Sequence, residues 1–146
     1  MVKEITIDPN GPPFLIGNVK MVANPPLDVL ITYELFYWSA KKPERKKLII
    51  EFGNNKQNHD DFFWLINPDN QSEKLPAHND RVIHLEVIAN GIKTSESDFQ
   101  IILEVYQESA IEIKGKNPIG EIKSDLKKIS VSSGDIFISL RGIIKI

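Results

Sequence analysis

The sequence predicts an all-β fold: an antiparallel β-sandwich with Greek-key connections, immunoglobulin-like or jelly-roll in type, of about nine strands. Three observations predict it. Apolar and polar residues alternate with period two along most of the chain, clusters of Gly, Pro, Asn and Asp separate the alternating runs, and no clear amphipathic helix of about 12 residues or more can be traced. The 146 residues fit one domain, 1–146. With 41% hydrophobic and 26% charged residues, the chain can build a packed core.

The elements follow in order. Met1 to Ile7 alternates and reads as the first strand rather than as a signal peptide, because it lacks a continuous apolar centre. From Asp28 to Trp38, Val29, Ile31, Tyr33, Leu35 and Tyr37 share one face, while Leu30, Phe36 and Trp38 join Thr32 and Glu34 on the other. A strand apolar on both faces belongs in the middle of a sheet. Lys47–Phe52, Asp61–Ile66, Arg81–Ala89 and Asp135–Ile146 read as further strands. Tyr33 to Phe52 resembles an immunoglobulin-like hairpin, without the Cys–Trp–Cys hallmark. Ser97 to Ala110 fits both a strand and a helical stripe, and its β-branched and aromatic content favours the strand. Ser124 is placed to cap one short helical turn over 124–129. Turns are expected at 8–13, 24–26, 67–70, 90–91 and 117–118, with Asn90-Gly91 the strongest hairpin signal. In the last strand, Ile136, Ile138 and Leu140 face one way and Phe137 and Ser139 the other, and Gly142 permits a bulge. Such a strand is either internal or, at an edge, open to pairing with another copy.

Composition narrows the chemistry. Net charge is −2, so no one-signed basic field points to nucleic acid. No apolar run reaches the ~20 residues of a membrane span. There is no cysteine, hence no disulfide, thiolate nucleophile or cysteine metal site. The expected compartment is the cytoplasm, and an exported mature form stays open. No Gly-x-Ser-x-Gly elbow or phosphate-binding glycine loop occurs, and no cofactor is implied. Glu34, Glu86 and Glu104, the carboxylates inside strands, sit at polar-phase positions. The three histidines, His59, His78 and His84, have no zinc-ligand spacing. Asp60, Asp61, Asp69, Asn70, Asn79 and Asp80 are the oxygen donors that two converging loops could bring to calcium.

Two stretches are candidates for binding. Polar loops flank Phe62-Phe63-Trp64, and Asn54, Asn55, His59, Asp60, Asp61, Trp64, Asp69 and Asn70 could form a site in which an aromatic ring stacks on a sugar while planar polar groups hold its hydroxyls. Lys41, Lys42, Arg45, Lys46 and Lys47 form a basic hairpin tip able to hold an anion. The function expected is a non-enzymatic binding module for protein–protein interaction or assembly, through a protein partner or self-association. The alternative is a carbohydrate-binding module using the 54–73 loops. Calcium-dependent binding and a glycoside-active enzyme rank lower.

Overall fold

Each long alternating run forms a strand with one face in a common core. The computed structural model describes residues 3–24, 29–39, 41, 49–55, 60–66, 74–91, 96–110, 112–130 and 134–146, with backbone alone at 24, 29–30, 49–55, 60 and 91. Its strands are β1 (Lys3–Thr6), β2 (Phe14–Asn24), β3 (Val29–Ser39), β4 (Ile49–Asn55), β5 (Asp60–Trp64), β6 (Arg81–Gly91), β7 (Ser97–Glu108), β8 (Gly120–Lys123), β9 (Lys127–Ile129) and β10 (Ile136–Lys145). Sheet A has the order β1-β10-β6-β3-β4, and sheet B the order β5-β2-β7-β8, with β9 also paired to β7. The two sheets pack face to face as a β-sandwich. Most sequential connections cross from one sheet to the other. No helix of the described residues is long and apolar enough to cross a membrane.

Inner faces are apolar row by row. Leu140, Leu85 and Leu35 stand side by side across sheet A, each almost fully buried. Leu103 and Val19 form a facing row in sheet B. Gly17 is the exception that defines its neighbour. It lies directly opposite Phe63, and a Cβ built there would stand 2.1 Å from Phe63 Cε2. The missing side chain is the space that the Phe63 ring fills.

Several expectations are corrected. β1 pairs with β10 in parallel, the one departure from antiparallel pairing among the described strands. Asn90 and Gly91 do not turn a hairpin: they extend β6, opposite Leu30 and Val29, and β7 lies in the other sheet. Ser124 caps no helix. Its hydroxyl accepts from Ile101 N–H at 3.0 Å and donates to the Asp125 carbonyl at 3.0 Å, bridging the gap between β8 and β9 along β7. Gly142 makes no bulge, since the β10–β6 register runs through it unbroken. A Cβ there would meet Ile122 Cδ1 at 2.6 Å and Lys3 O at 3.2 Å, so close approach demands this glycine. The backbone irregularity sits instead at Asp80, a non-glycine residue with φ 67°, whose N–H donates to Ile144 O. The turn expected at 67–70 and part of that at 24–26 lie outside the described residues.

Buried polar groups close the ends of the sandwich. A 3-10 turn, Leu75–His78, buries His78, whose Nδ1 lies 2.8 Å from Tyr37 Oη and 3.1 Å from Arg81 Nη1. Arginine can only donate, so this Nδ1 is an acceptor. At the other strand connection, Gln107 accepts from Asp8 N–H and donates to the carbonyls of Asp8 and Pro12, bracing the 8–12 turn. Replacing Gly17 by Ala forces the Phe63 ring from its place, and urea unfolding is expected to show a loss of about 1–3 kcal/mol. An unchanged midpoint would contradict this packing.

Candidate functional site

The sandwich has a seam that its own strands only half close. Lys145 O accepts from Ile7 N–H at 2.7 Å on the β1 side, and Ile144 O accepts from Asp80 N–H at 2.8 Å on the β6 side. In an extended strand the N–H and C=O of one residue point the same way and alternate from residue to residue. Odd-numbered residues of β10 therefore turn their backbone groups toward β1. The described part of β1 reaches Gly142 to Lys145, and its register carries Lys3 N–H to the Arg141 carbonyl. Phe137 and Ser139 present N–H and C=O beyond it, and no described strand pairs with them there. Open space runs along this edge. A groove of about 660 Å³ lies beside Ser139–Arg141, walled by Lys3 and Glu121–Lys123, and one of about 240 Å³ borders Phe137–Leu140.

Side chains on the outer face of sheet A flank the same edge. Phe137 is 72% exposed and stands directly across from Ile88, itself 40% exposed. Next to them, Ser139, Glu86 and Glu34 form one cross-strand row. A hollow of about 440 Å³ lies over these two rows. The following row carries Arg141, His84 and Phe36. The Arg141 guanidinium sits 5.6 Å from the Trp38 ring centroid, and His84 Nε2 is 2.8 Å from Ser139 Oγ. Burial first, and the Arg141 charge second, hold the His84 imidazole below its usual value, against a smaller opposing pull from Glu86.

Sheet B has its own outer feature. Phe62, 47% exposed, stands opposite Asn18, and Asn18 opposite Glu104. Glu104 Oε1 accepts from Asn18 Nδ2 at 2.8 Å and from Tyr106 Oη at 3.2 Å. With Lys20 and the segment 112–116 they line a cleft of about 500 Å³.

The described residues expected to bind fall in both sheets. Register puts Asn54 opposite Thr32 and Asn55 opposite Ile31 in sheet A, whereas Asp60, Asp61 and Trp64 belong to β5 of sheet B. Asp61 shares the phase of Phe63 and so lies on the inner side, one carboxylate oxygen shut off from solvent. The Trp64 ring packs edge-on against Phe14 at 5.5 Å, and the exposed aromatic of that strand is Phe62. His59, Asp69 and Asn70 lie outside the described residues, as do Lys42, Arg45, Lys46 and Lys47 of the basic cluster. Lys41 is described, and its Nζ is 3.4 Å from Asp80 Oδ2. Lys145, hydrogen-bonded to Asp80, is the larger cause of an Asp80 pKa below the usual carboxylate value, and Lys41 adds to it. Asn79 Oδ1 accepts from Ile146 N–H, so this pair fastens the last strand. Among the described residues, no three His, Asp or Glu side chains converge as metal ligands. From sequence the last strand was either internal or at an edge, and how far β1 reaches along it could not be read there. The Asn18–Glu104 pair was not found, an asparagine inside the apolar run Phe14–Ala23 being the one available hint.

No protein-family model matches the chain, and searches of curated proteins and of solved structures return no match.

A depressed His84 pKa means that the folded state favours the neutral ring. Its contribution to stability is complete above the unfolded value of about 6.5 and is lost as pH falls through the lower folded value. Urea midpoints measured from pH 8 down to pH 5 are expected to fall more steeply for the natural chain than for His84→Gln. Parallel curves would contradict the assignment.

Proposed function

We propose that the chain is a non-enzymatic binding module serving protein–protein interaction or assembly, and that it accepts an extended segment of a protein as an added strand along the open half of β10. One observation carries the reading: Phe137 and Ser139 aim their backbone groups past the described end of β1 into open grooves. An added strand would take up those donors and acceptors, the main chain supplying affinity and the flanking side chains selectivity. From Ile136 to Arg141 the edge has no proline, no bulge and no inward-pointing charge, the devices that usually guard an exposed edge. A peptide copying residues 135–141 serves as the probe, with amide chemical shifts as the readout. The Phe137 and Ser139 amides are expected to shift on titration. Ser139→Pro removes an edge-facing N–H while sparing the bonds to β6, and should weaken binding at least tenfold. Edge amides unmoved by millimolar peptide would contradict the reading.

A second reading, carbohydrate binding, is favoured by the half-exposed Phe62 ring beside Lys20, Glu104 and Tyr106 on the outer face of sheet B. An apolar ring next to an acceptor and a cation suits a pyranose with its hydroxyls. Trp64 lies one row away, opposite Ile16, and supplies the fluorescence signal. Saturable quenching by a sugar, abolished in Phe62→Ala, supports this reading; a flat response across a broad sugar panel removes it.

A further inference from the structure

We infer that the strand the open edge accepts is β10 of a second copy, paired antiparallel about a two-fold axis at Ile138. The inference rests on the strand-accepting reading above and names its occupant. Two constraints fix the register. Paired residues must share a sheet face, so the numbers of each pair sum to an even value. The paired stretch must also end before Arg141, whose carbonyl the β1 register gives to Lys3 N–H. A window from 136 to 140 satisfies both, placing Ile138 opposite itself, Phe137 opposite Ser139 and Ile136 opposite Leu140.

Every row of that pairing is compatible. The odd residues, whose N–H and C=O point outward from the edge, meet odd residues and form the hydrogen-bonded pairs. Ile136, Ile138 and Leu140 face the sandwich interior in both copies and extend its apolar row. Asp135 is exposed and leaves the window on the outer face, on the side of the Arg141 guanidinium of the other copy, twice per dimer. Beyond the window the second strand must turn aside to clear β1, and it does so over Asp135 and Gly134, where φ at Gly134 is 71°. Leu126, 69% exposed, belongs to the 123–127 segment that borders this edge and would flank the added strand. Five residues per copy make a small interface, so the association is concentration-dependent.

The full chain tests this in three measurements. Light scattering after gel filtration is expected to pass from the mass of one chain to that of two as concentration rises into the millimolar range. Asp135→Arg and Arg141→Asp should each raise the dissociation constant about tenfold or more, and the double exchange should restore it; restoration is an outcome that lost folding cannot mimic. The natural chain has no cysteine, so Ile138→Cys can form only an intermolecular disulfide. The symmetric register puts it opposite its own copy about 4.5 Å away between Cα atoms, and it should oxidise to a covalent dimer much faster than Leu140→Cys, which faces Ile136. A single-chain mass at millimolar concentration, no rescue by the double exchange, or equal cross-linking of the two cysteine variants would each overturn the inference. If the chain stays single while the 135–141 peptide still shifts the edge amides, only the second copy fails as occupant. If the peptide also leaves them unmoved, the strand-accepting reading fails with it.

Discussion

β10 has ten residues to hydrogen-bond on both sides, and on its outer side the described residues of β1 number four. The rest of this seam follows from that shortfall. Where β1 is present the end of β10 is fastened several times over. Lys145 reaches Asp80, Ile146 N–H reaches Asn79, and Gly142 allows Ile122 and the β1 backbone to close in. Asp80 makes the fastening possible, since its left-handed backbone aims its N–H at Ile144 O while its carboxylate gathers Lys145 and Lys41. Where β1 stops, the same strand keeps its bonds to β6 and leaves its other side to whatever can pair with it.

The core can support such an unfinished edge because its stability comes from elsewhere. Rows of leucine, isoleucine and valine span both inner faces, and the Phe63 ring fills the space over Gly17. Two of the polar groups inside are paired to backbone: Gln107 braces the first turn and Ser124 joins the two short edge strands. Burying an unpaired donor costs about 1–3 kcal/mol, so these bonds matter more as penalties avoided than as attractions. Unpaired groups at the β10 edge escape that penalty only while water reaches them, which the grooves beside them allow. Hydrophobic side chains near the edge are a different matter. Phe137 is left exposed with no internal purpose, and an added strand would cover part of it.

The strands with long, regularly alternating apolar residues were legible in the sequence. Asp28–Trp38 and Arg81–Ala89 form β3 and β6, as neighbours in the middle of sheet A, and the phase of Phe137 against Ile138 was read correctly. β2 was not seen, because it is central in sheet B. Leu15 and Val19 are buried on its inner face and Ile16 and Asn18 on its outer face, which erases the alternation, and Gly17 interrupts what remains. Asn90-Gly91 has the local chemistry of a turn, yet pairing with Leu30 and Val29 keeps it extended. Ser124 carries the same oxygen a helix cap would use and spends it on the β7 ladder instead. For the candidate sites the difficulty was register. Whether Asp61 points in or out, and whether Glu34 meets Glu86, depends on pairings between residues far apart in the chain.

Amide hydrogen exchange along β10, measured residue by residue in protein dilute enough to be a single chain, tests the central claim most directly. The half-closed seam predicts an alternating pattern from Ile136 to Leu140: Ile138 and Leu140, bonded to β6, exchange slowly, while Phe137 and Ser139 exchange fast. Beyond it, Ile143 and Lys145 are protected by β1. Uniform protection of the whole strand in the single chain would contradict the account, because it would mean that the edge is already closed.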